Sequence, residues 1–277
     1  MTATLTPPQR PAPAALPVAG GRRRFASARA IGALMLREMA TTYGRTPGGY
    51  LWAILEPVLG IAILTFAFSF FFRQPPIGTS FALFYATGVL PLQLFMTINN
   101  RVGSALIFSR PLLVYPAVTY VDALVARFVV TALTGVLTFY LIAGAMLMML
   151  DLRVVLDMRQ IFASLALASF LGFGMGVLNA YLFLRFNIWQ VLWQIVSRPL
   201  FLISGVIFIY DQLPATLRDI LWYNPLIHVV GQLRKGFYAS YSGAYVEPLY
   251  VVGVSLVCLV LGLRLLSWHA ATLIHES

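Results

Sequence analysis

The sequence predicts an all-α membrane protein, with six transmembrane helices, an N-terminal amphipathic interface helix, and short re-entrant helices between the fifth and sixth spans. Two observations carry this expectation. Apolar residues make up 60% of the 277-residue chain and charged residues only 10%, with a mean hydropathy of +0.85. A soluble domain carries about a quarter charged residues, and a chain of this size has too little interior to hide such an apolar excess from water. The apolar residues also fall into six separate runs, each long enough for the roughly 20 helical residues that cross a hydrocarbon core.

Taken in order, residues 1–20 are rich in Pro, Ala and Thr, and Pro7, Pro8, Pro11, Pro13 and Pro17 break any helix. No apolar core follows Arg10, as a cleavable signal peptide would require. Residues 1–24 are therefore expected to form a disordered cytoplasmic tail, and residues 25–277 a single transmembrane domain. After Arg22-Arg23-Arg24, the Phe25–Tyr43 stretch places Phe25, Ile31, Leu34, Met35 and Met39 on one broad face, with Arg29, Arg37 and Glu38 mostly elsewhere. Such a helix lies in the membrane interface, with a short soluble helix as the alternative.

The spans are expected near 50–72, 81–98, 118–150, 161–184, 191–209 and 249–267. The third exceeds what a bilayer needs, so it is tilted, extends beyond the lipid, or starts later. Gly172, Gly174 and Gly176 in the fourth permit close helix packing, although glycine also loosens a helix; packing is the favoured reading. Tyr210–Pro248 is rich in Leu, Ile, Trp and Tyr, yet interrupted by Pro214 and Pro225. It is too apolar for a solvated loop and too broken for a span. Two short helices dipping into the outer interface suit it; a pair of surface helices is the alternative.

The formal charge is +10, and Lys235 is the only lysine. Arginines cluster in the first fifty positions and then recur singly between apolar runs, the pattern of membrane loops and not of a nucleic-acid-binding face. Arg22, Arg23, Arg24, Arg29, Arg37 and Arg45 outweigh Glu38 before the first span, and Arg101 and Arg110 follow the second. In the loop after the third span, Arg153 and Arg159 stand beside Asp151 and Asp157. The positive-inside rule then places both termini in the cytoplasm, with 73–80, 151–160 and 210–248 outside.

Catalytic signatures are missing from the sequence. It has no G-x-x-x-x-G-K-[ST] loop to cradle phosphates, no H-E-x-x-H pair and no G-x-S-x-G elbow. His228, His269 and His275 are scattered, and Cys258 stands alone inside an apolar run. No catalytic residue, metal site or cofactor is expected in this chain. The two halves show no repeat and no central acid, which disfavours a proton-coupled carrier. Ionisable residues near the spans, Glu56 before Pro57, Asp122 with Arg127, and Arg198 before Pro199, fit two readings: a polar cavity or subunit contact, or snorkelling and structural ion pairing. The dense aromatics, Phe66, Phe68, Phe70–Phe72, Phe81, Phe84 and Tyr85, face lipid by default. Facing a passage, they would stack on sugar rings.

The stretch Leu36-Arg37-Glu38 through Tyr43-Gly44-Arg45-Thr46-Pro47-Gly48-Gly49-Tyr50-Leu51-Trp52, then Glu56-Pro57, resembles the opening of bacterial ABC-2-type polysaccharide export permeases, and within that group the capsular polysaccharide permease. Ser109-Arg110-Pro111, Arg198-Pro199-Leu200-Phe201, Ser204-Gly205, and Asn224-Pro225 followed by Arg234 extend the resemblance from about residue 30 to the end. Asn187 departs from the acidic residue that many O-antigen and teichoic-acid permeases carry there, and leans toward the capsule branch.

The resemblance implies a multi-pass inner-membrane homodimer with a passage at its interface. Two copies of an ABC ATPase subunit would bind ATP and Mg and meet the helix at Phe25–Tyr43 and the loop Asn99–Pro116. A periplasmic co-polymerase and an outer-membrane export channel would be further partners, and the substrate a lipid-linked acidic polysaccharide. On this basis Arg37, Glu38, Arg101, Ser109 and Arg110 are expected to couple to the ATPase. Tyr50, Trp52, Glu56, Arg198, Trp222 and Phe237 are expected to line the channel or its gate. Export of O-antigen, teichoic acid, a drug or a small lipid, and a non-transporting role in membrane assembly, are the alternatives.

Overall fold

A computed structural model describes residues 26–43, 49–113, 118–150 and 155–275. The expected tail at 1–24 and the 44–48 part of the glycine-rich motif lie outside the described residues. The described chain is built from helices and irregular connections, without a strand. The helices are α1 (Ala26–Tyr43), α2 (Gly49–Phe71), α3 (Phe81–Gly103), α4 (Ala105–Leu113), α5 (Tyr120–Met149), α6 (Met158–Arg185), α7 (Asn187–Ile203), α8 (Ala215–Leu221), α9 (Pro225–Phe237) and α10 (Pro248–His275).

Among the described residues, five stretches are long and apolar enough to cross a membrane: Leu51–Phe71, Phe81–Leu112, Tyr120–Met149, Met158–Arg185 and Pro248–His269. The fifth expected span, near 191–209, corresponds to α7, which is shorter. Its 17 residues reach about 25 Å at 1.5 Å per residue, the lower end of what traverses a core about 30 Å thick. It also begins earlier than expected, because Phe186 serves as both the C-cap of α6 and the N-cap of α7. It stops at Ile203, and two residues later Gly205 takes φ +80°, a left-handed conformation that glycine adopts without a Cβ penalty.

Two connections differ from expectation. The stretch from Asn99 is helical through Leu113, so the expected loop is mostly α3 and α4. Ser104 bends the path, at φ −90° and ψ 0°, yet its N–H still reaches the Asn100 and Val102 carbonyls. In α5, a capping box sets the start: the Thr119 N–H donates to Asp122 Oδ2 at 3.0 Å, and the Asp122 N–H donates to Thr119 Oγ1 at 3.2 Å. Asp122 is thereby explained as a helix cap. At 30 residues, about 45 Å, α5 is still longer than the hydrocarbon core.

At the centre α3 crosses α6, with α9 beside both and α10 against the far side of α6. The three glycines of α6 divide between these neighbours. A Cβ on Gly172 would stand 3.0 Å from Ile98, one on Gly176 would stand 2.8 Å from Val102, and Gly174 faces the Ser255 backbone of α10. Close packing is what they provide. Phe84, Ile98, Ala168, Val177 and Val229 are sealed in this core. The α9 helix is tied in by polar bonds as well. Ser164 donates to the Val229 carbonyl at 2.8 Å, and the Asp157 N–H to the Gly236 carbonyl at 2.9 Å. By contrast α2, α7 and much of α10 expose apolar side chains, including Phe66, Phe70, Ile195 and Val260.

At one end of the bundle stand α1, α4 and the start of α7; at the other stand α8 and α9. In α1, Leu34 is buried and Ile31 and Met35 pack on the core, while Leu36 and Met39 are exposed.

Candidate functional site

The α1 end is organised by Arg127. Its Nε donates to Glu38 Oε1 at 2.9 Å, and its Nη1 reaches the Arg101 carbonyl and Ser104 Oγ, each at 3.4 Å. The guanidinium also lies over the Phe108 ring, 4.6 Å from its centroid. One side chain from α5 thus joins α1, the bend between α3 and α4, and α4 itself. The geometry follows from local structure: the Ser104 bend turns Arg101 toward α5, and Arg127 is carried two turns into a capped helix. A buried guanidinium needs both a counter-charge and further acceptors, and here it finds them on separate elements. Leu34, Arg37, Ser109, Ala123 and Ala126 surround the pair.

Three of the expected coupling residues, Arg37, Glu38 and Ser109, therefore meet at one place. Arg101 adjoins them and lines a larger cavity of about 330 Å³ with Ser104, Arg127, Gln190, Trp193 and Gln194. Arg110, in the last turn of α4, is half-buried and borders neither cavity. The sequence marked Arg127 as a charge near a span, but its partner is 89 residues away, a distance no local pattern encodes.

A second cavity, about 230 Å³, lies between α2, α3 and α5. Trp52 and Glu56 come from α2, Gln93, Thr97 and Arg101 from α3, and Thr131, Thr134 and Thr138 from α5. Thr134 already donates to the Val130 carbonyl at 2.8 Å, so its oxygen remains available as an acceptor. These hydroxyls, an amide, one carboxylate and one guanidinium stand beside an indole and an apolar wall of Pro57, Leu90, Leu94 and Phe139. Trp52 is 60% exposed, which leaves the groove open along α2. The Tyr50 side chain lies outside the described residues.

The remaining expected channel residues stand elsewhere. Arg198 is exposed on α7. Trp222, half-buried after α8, meets the His228 and Tyr250 rings at 5.3 and 4.9 Å. Phe237 is buried behind Phe139, a wall of the groove, with ring centroids 6.3 Å apart. His228 Nε2 donates to the Trp222 carbonyl at 2.8 Å while its Nδ1 accepts from the Glu247 N–H at 3.2 Å, which defines the neutral imidazole. Burial holds its pKa below the ordinary value, and burial also pushes the Tyr238 phenol up to about 12.

One buried chain was missed by sequence reasoning. Asn179 of α6 donates to Asn99 Oδ1 at 3.0 Å, and Trp189 of α7 donates to Asn179 Oδ1 at 3.0 Å. The signal was two asparagines inside apolar runs, where a polar side chain needs a partner.

The bundle, its apolar outer faces and its polar interior cavities define a multi-pass transport subunit. The chain belongs to the ABC-2 type transporter family, which it matches over residues 29–238. It is similar to the polysialic acid transport protein KpsM of Escherichia coli, 30% identical over 84% of this chain and 90% of that protein. It is also similar to the capsule polysaccharide export inner-membrane protein CtrC of Neisseria meningitidis, at 25% identity over 86% and 90% of the two chains. BexB of Haemophilus influenzae, likewise a capsule polysaccharide export inner-membrane protein, is 26% identical over 85% of this chain and 89% of its own.

Proposed function

We propose that this chain is the permease of an ABC exporter that moves lipid-linked capsular polysaccharide across the inner membrane. The observation that carries this reading is the double placement of Arg101. Its carbonyl accepts from Arg127 at the α1–α4–α5 junction, and its side chain lines the Trp52–Glu56 groove. A displacement of α1 or α4 by a partner therefore reaches the groove through a single residue. The named roles of the relatives agree with this reading.

Two ATPase subunits, carrying the ATP and Mg, would press on α1 and α4. Two copies of the permease would face each other across the exposed sides of α2 and α7, which bury little of their apolar surface within one chain. A periplasmic co-polymerase and an outer-membrane channel would receive the polymer. Both termini would be cytoplasmic, since the arginines cluster at the α1 end.

The test is surface and intracellular polysaccharide in a deletion strain, with and without the restored gene. Loss from the surface with accumulation inside, reversed by the gene, is the expected result. Unchanged surface polymer would move export of another substrate to first place. Within the transporter, Arg110→Glu is expected to leave ATP hydrolysis running while export stops; undiminished export would remove Arg110 from the coupling set.

A further inference from the structure

The 330 Å³ cavity at the α1 end is walled by the guanidiniums of Arg101 and Arg127 and by the amides of Asn100, Gln190 and Gln194; no carboxylate of the described residues lines it. Glu38 meets Arg127 from the α1 side and belongs to the small neighbouring cavity. On Arg127, Nε and Nη1 are committed to Glu38, the Arg101 carbonyl and Ser104 Oγ, which leaves Nη2 to donate elsewhere. The Ser104 hydroxyl gives its own hydrogen to the Asn100 carbonyl at 2.9 Å, so toward Arg127 it is an acceptor. Two like charges around one space repel, and an anion placed between them turns that repulsion into attraction.

A buried relay sets the polarity of a further donor. An indole N–H can only donate, so Trp189 on Asn179 Oδ1, at 3.0 Å, fixes which end of the Asn179 amide is oxygen. Its NH2 then donates to Asn99 Oδ1 at 3.0 Å, and the Asn99 NH2 donates to Asn100 Oδ1 at 3.2 Å. With its oxygen occupied, Asn100 keeps its NH2 for the cavity it lines. The relay starts on α7, passes through α6 and ends on α3 as a donor beside two cations.

Depth selects the kind of anion. Arg101 follows Phe81 by 20 residues along α3, about 30 Å at 1.5 Å per residue, which is the thickness of the hydrocarbon core. The cavity therefore stands at the level of lipid phosphates, and Phe108 offers an exposed apolar edge beside it.

We propose that this cavity is a binding site for the phosphodiester of an anionic lipid, held by Arg101, Arg127 and the Asn100 amide that the Trp189–Asn179–Asn99 relay orients. The site does not depend on which polymer is exported. A bilayer phospholipid and the anchor of an exported glycolipid both present this chemistry, and the lipids carried by the isolated protein tell them apart.

The full chain, purified in a neutral detergent, is titrated with phosphatidylglycerol and, separately, with a diacylglycerol of the same acyl chains. Bound lipid is counted by native mass spectrometry. Phosphatidylglycerol should bind and the phosphate-free lipid should not. Asn100→Asp supplies an anion from the protein itself and should weaken phosphatidylglycerol about tenfold, the scale of losing charged hydrogen bonds. Arg101→Gln should do the same. Asn100 is exposed, so its variant should keep the parental melting midpoint, which separates lost binding from lost folding. Trp189→Phe alters no wall of the cavity but frees the relay to invert, and should weaken binding about threefold. Arg185→Gln removes an exposed charge at the same end and should bind as the parent does.

Equal binding of the two lipids would overturn the site, as would parental affinity in either Asn100→Asp or Arg101→Gln, or an equal loss in Arg185→Gln. Parental affinity in Trp189→Phe would overturn the relay's part in orienting Asn100. Lipids extracted from the parent and Asn100→Asp proteins isolated from cells identify the source. A plain phospholipid lost by the variant assigns the site to the bilayer, and a sugar-bearing lipid assigns it to the cargo. Identical lipid contents would overturn occupancy of the site in the cell.

Discussion

Arg127 and Arg234 are both buried, but their partners differ in kind. Arg127 faces a carboxylate on α1 and the bend between α3 and α4, at the α1 end of the bundle. Arg234 faces two carbonyls of a single turn and the ring of Phe84, all within the core. An ion pair between separate helices transmits displacement, because moving either helix strains the same contact. Carbonyls gathered by one sealed guanidinium resist displacement. The same residue type thus makes a movable joint at one end and a fixed one at the other.

The largest expected effect lies at the fixed joint. Arg234→Met leaves the buried Val206 carbonyl and the partly buried Phe208 carbonyl without their donor, at a cost of about 2–4 kcal/mol. The detergent-solubilised protein should melt several degrees lower, and an unchanged midpoint would mean the joint contributes little. At the movable joint, Glu38→Gln leaves the Arg127 charge without its counter-charge, costing about 2 kcal/mol because Glu38 is partly exposed. Export should fall further than the amount of folded protein, and the swap Glu38→Arg with Arg127→Glu should recover part of it. Loss of export matched by an equal loss of protein would make that contact structural only.

Between the two joints, Asn179→Leu strands the Trp189 indole and Asn99, for about 1–2 kcal/mol. Its signature should be altered indole fluorescence with the bundle still folded; an unchanged spectrum would mean Trp189 finds another partner. The smallest effect concerns pH. His228 is held neutral by its two bonds, and its pKa in the folded protein is depressed by burial. The folded state then binds the proton less readily than the unfolded chain. The His228 contribution is complete above about pH 6.5 and is lost as pH falls below that toward the depressed value. Stability measured from pH 7.5 to 5 should decline, and His228→Gln should flatten the part of that slope due to His228. An identical slope in the variant would assign it to other groups.

Much of the architecture was legible. Apolar runs located the spans, the triple glycine of α6 announced close neighbours, and Pro214 and Pro225 marked the two short helices. The α7 boundaries were not, because the apolar run continues through Val206–Ile209 while the backbone leaves the helix at Ser204. Among site residues, the grouping of Arg37, Glu38 and Ser109 followed from their motifs. Trp222 and Phe237, expected at the channel or its gate, pack against His228 and Phe139, contacts that no motif spelled out.

By itself, the sequence determined the solvent this chain folds in, the approximate positions and order of its apolar helices, and the end on which its arginines gather. Hydropathy and helical length are properties of contiguous residues, and the bilayer converts them directly into spans. Tertiary structure alone decided which polar residues meet. Glu38 and Arg127, Asn99 and Asn179, Ser204 and Asn224, and Arg234 with its two carbonyls are each brought together by helix crossings. In a low-dielectric interior every such group must find a partner, but the partner is chosen by packing and not by spacing along the chain.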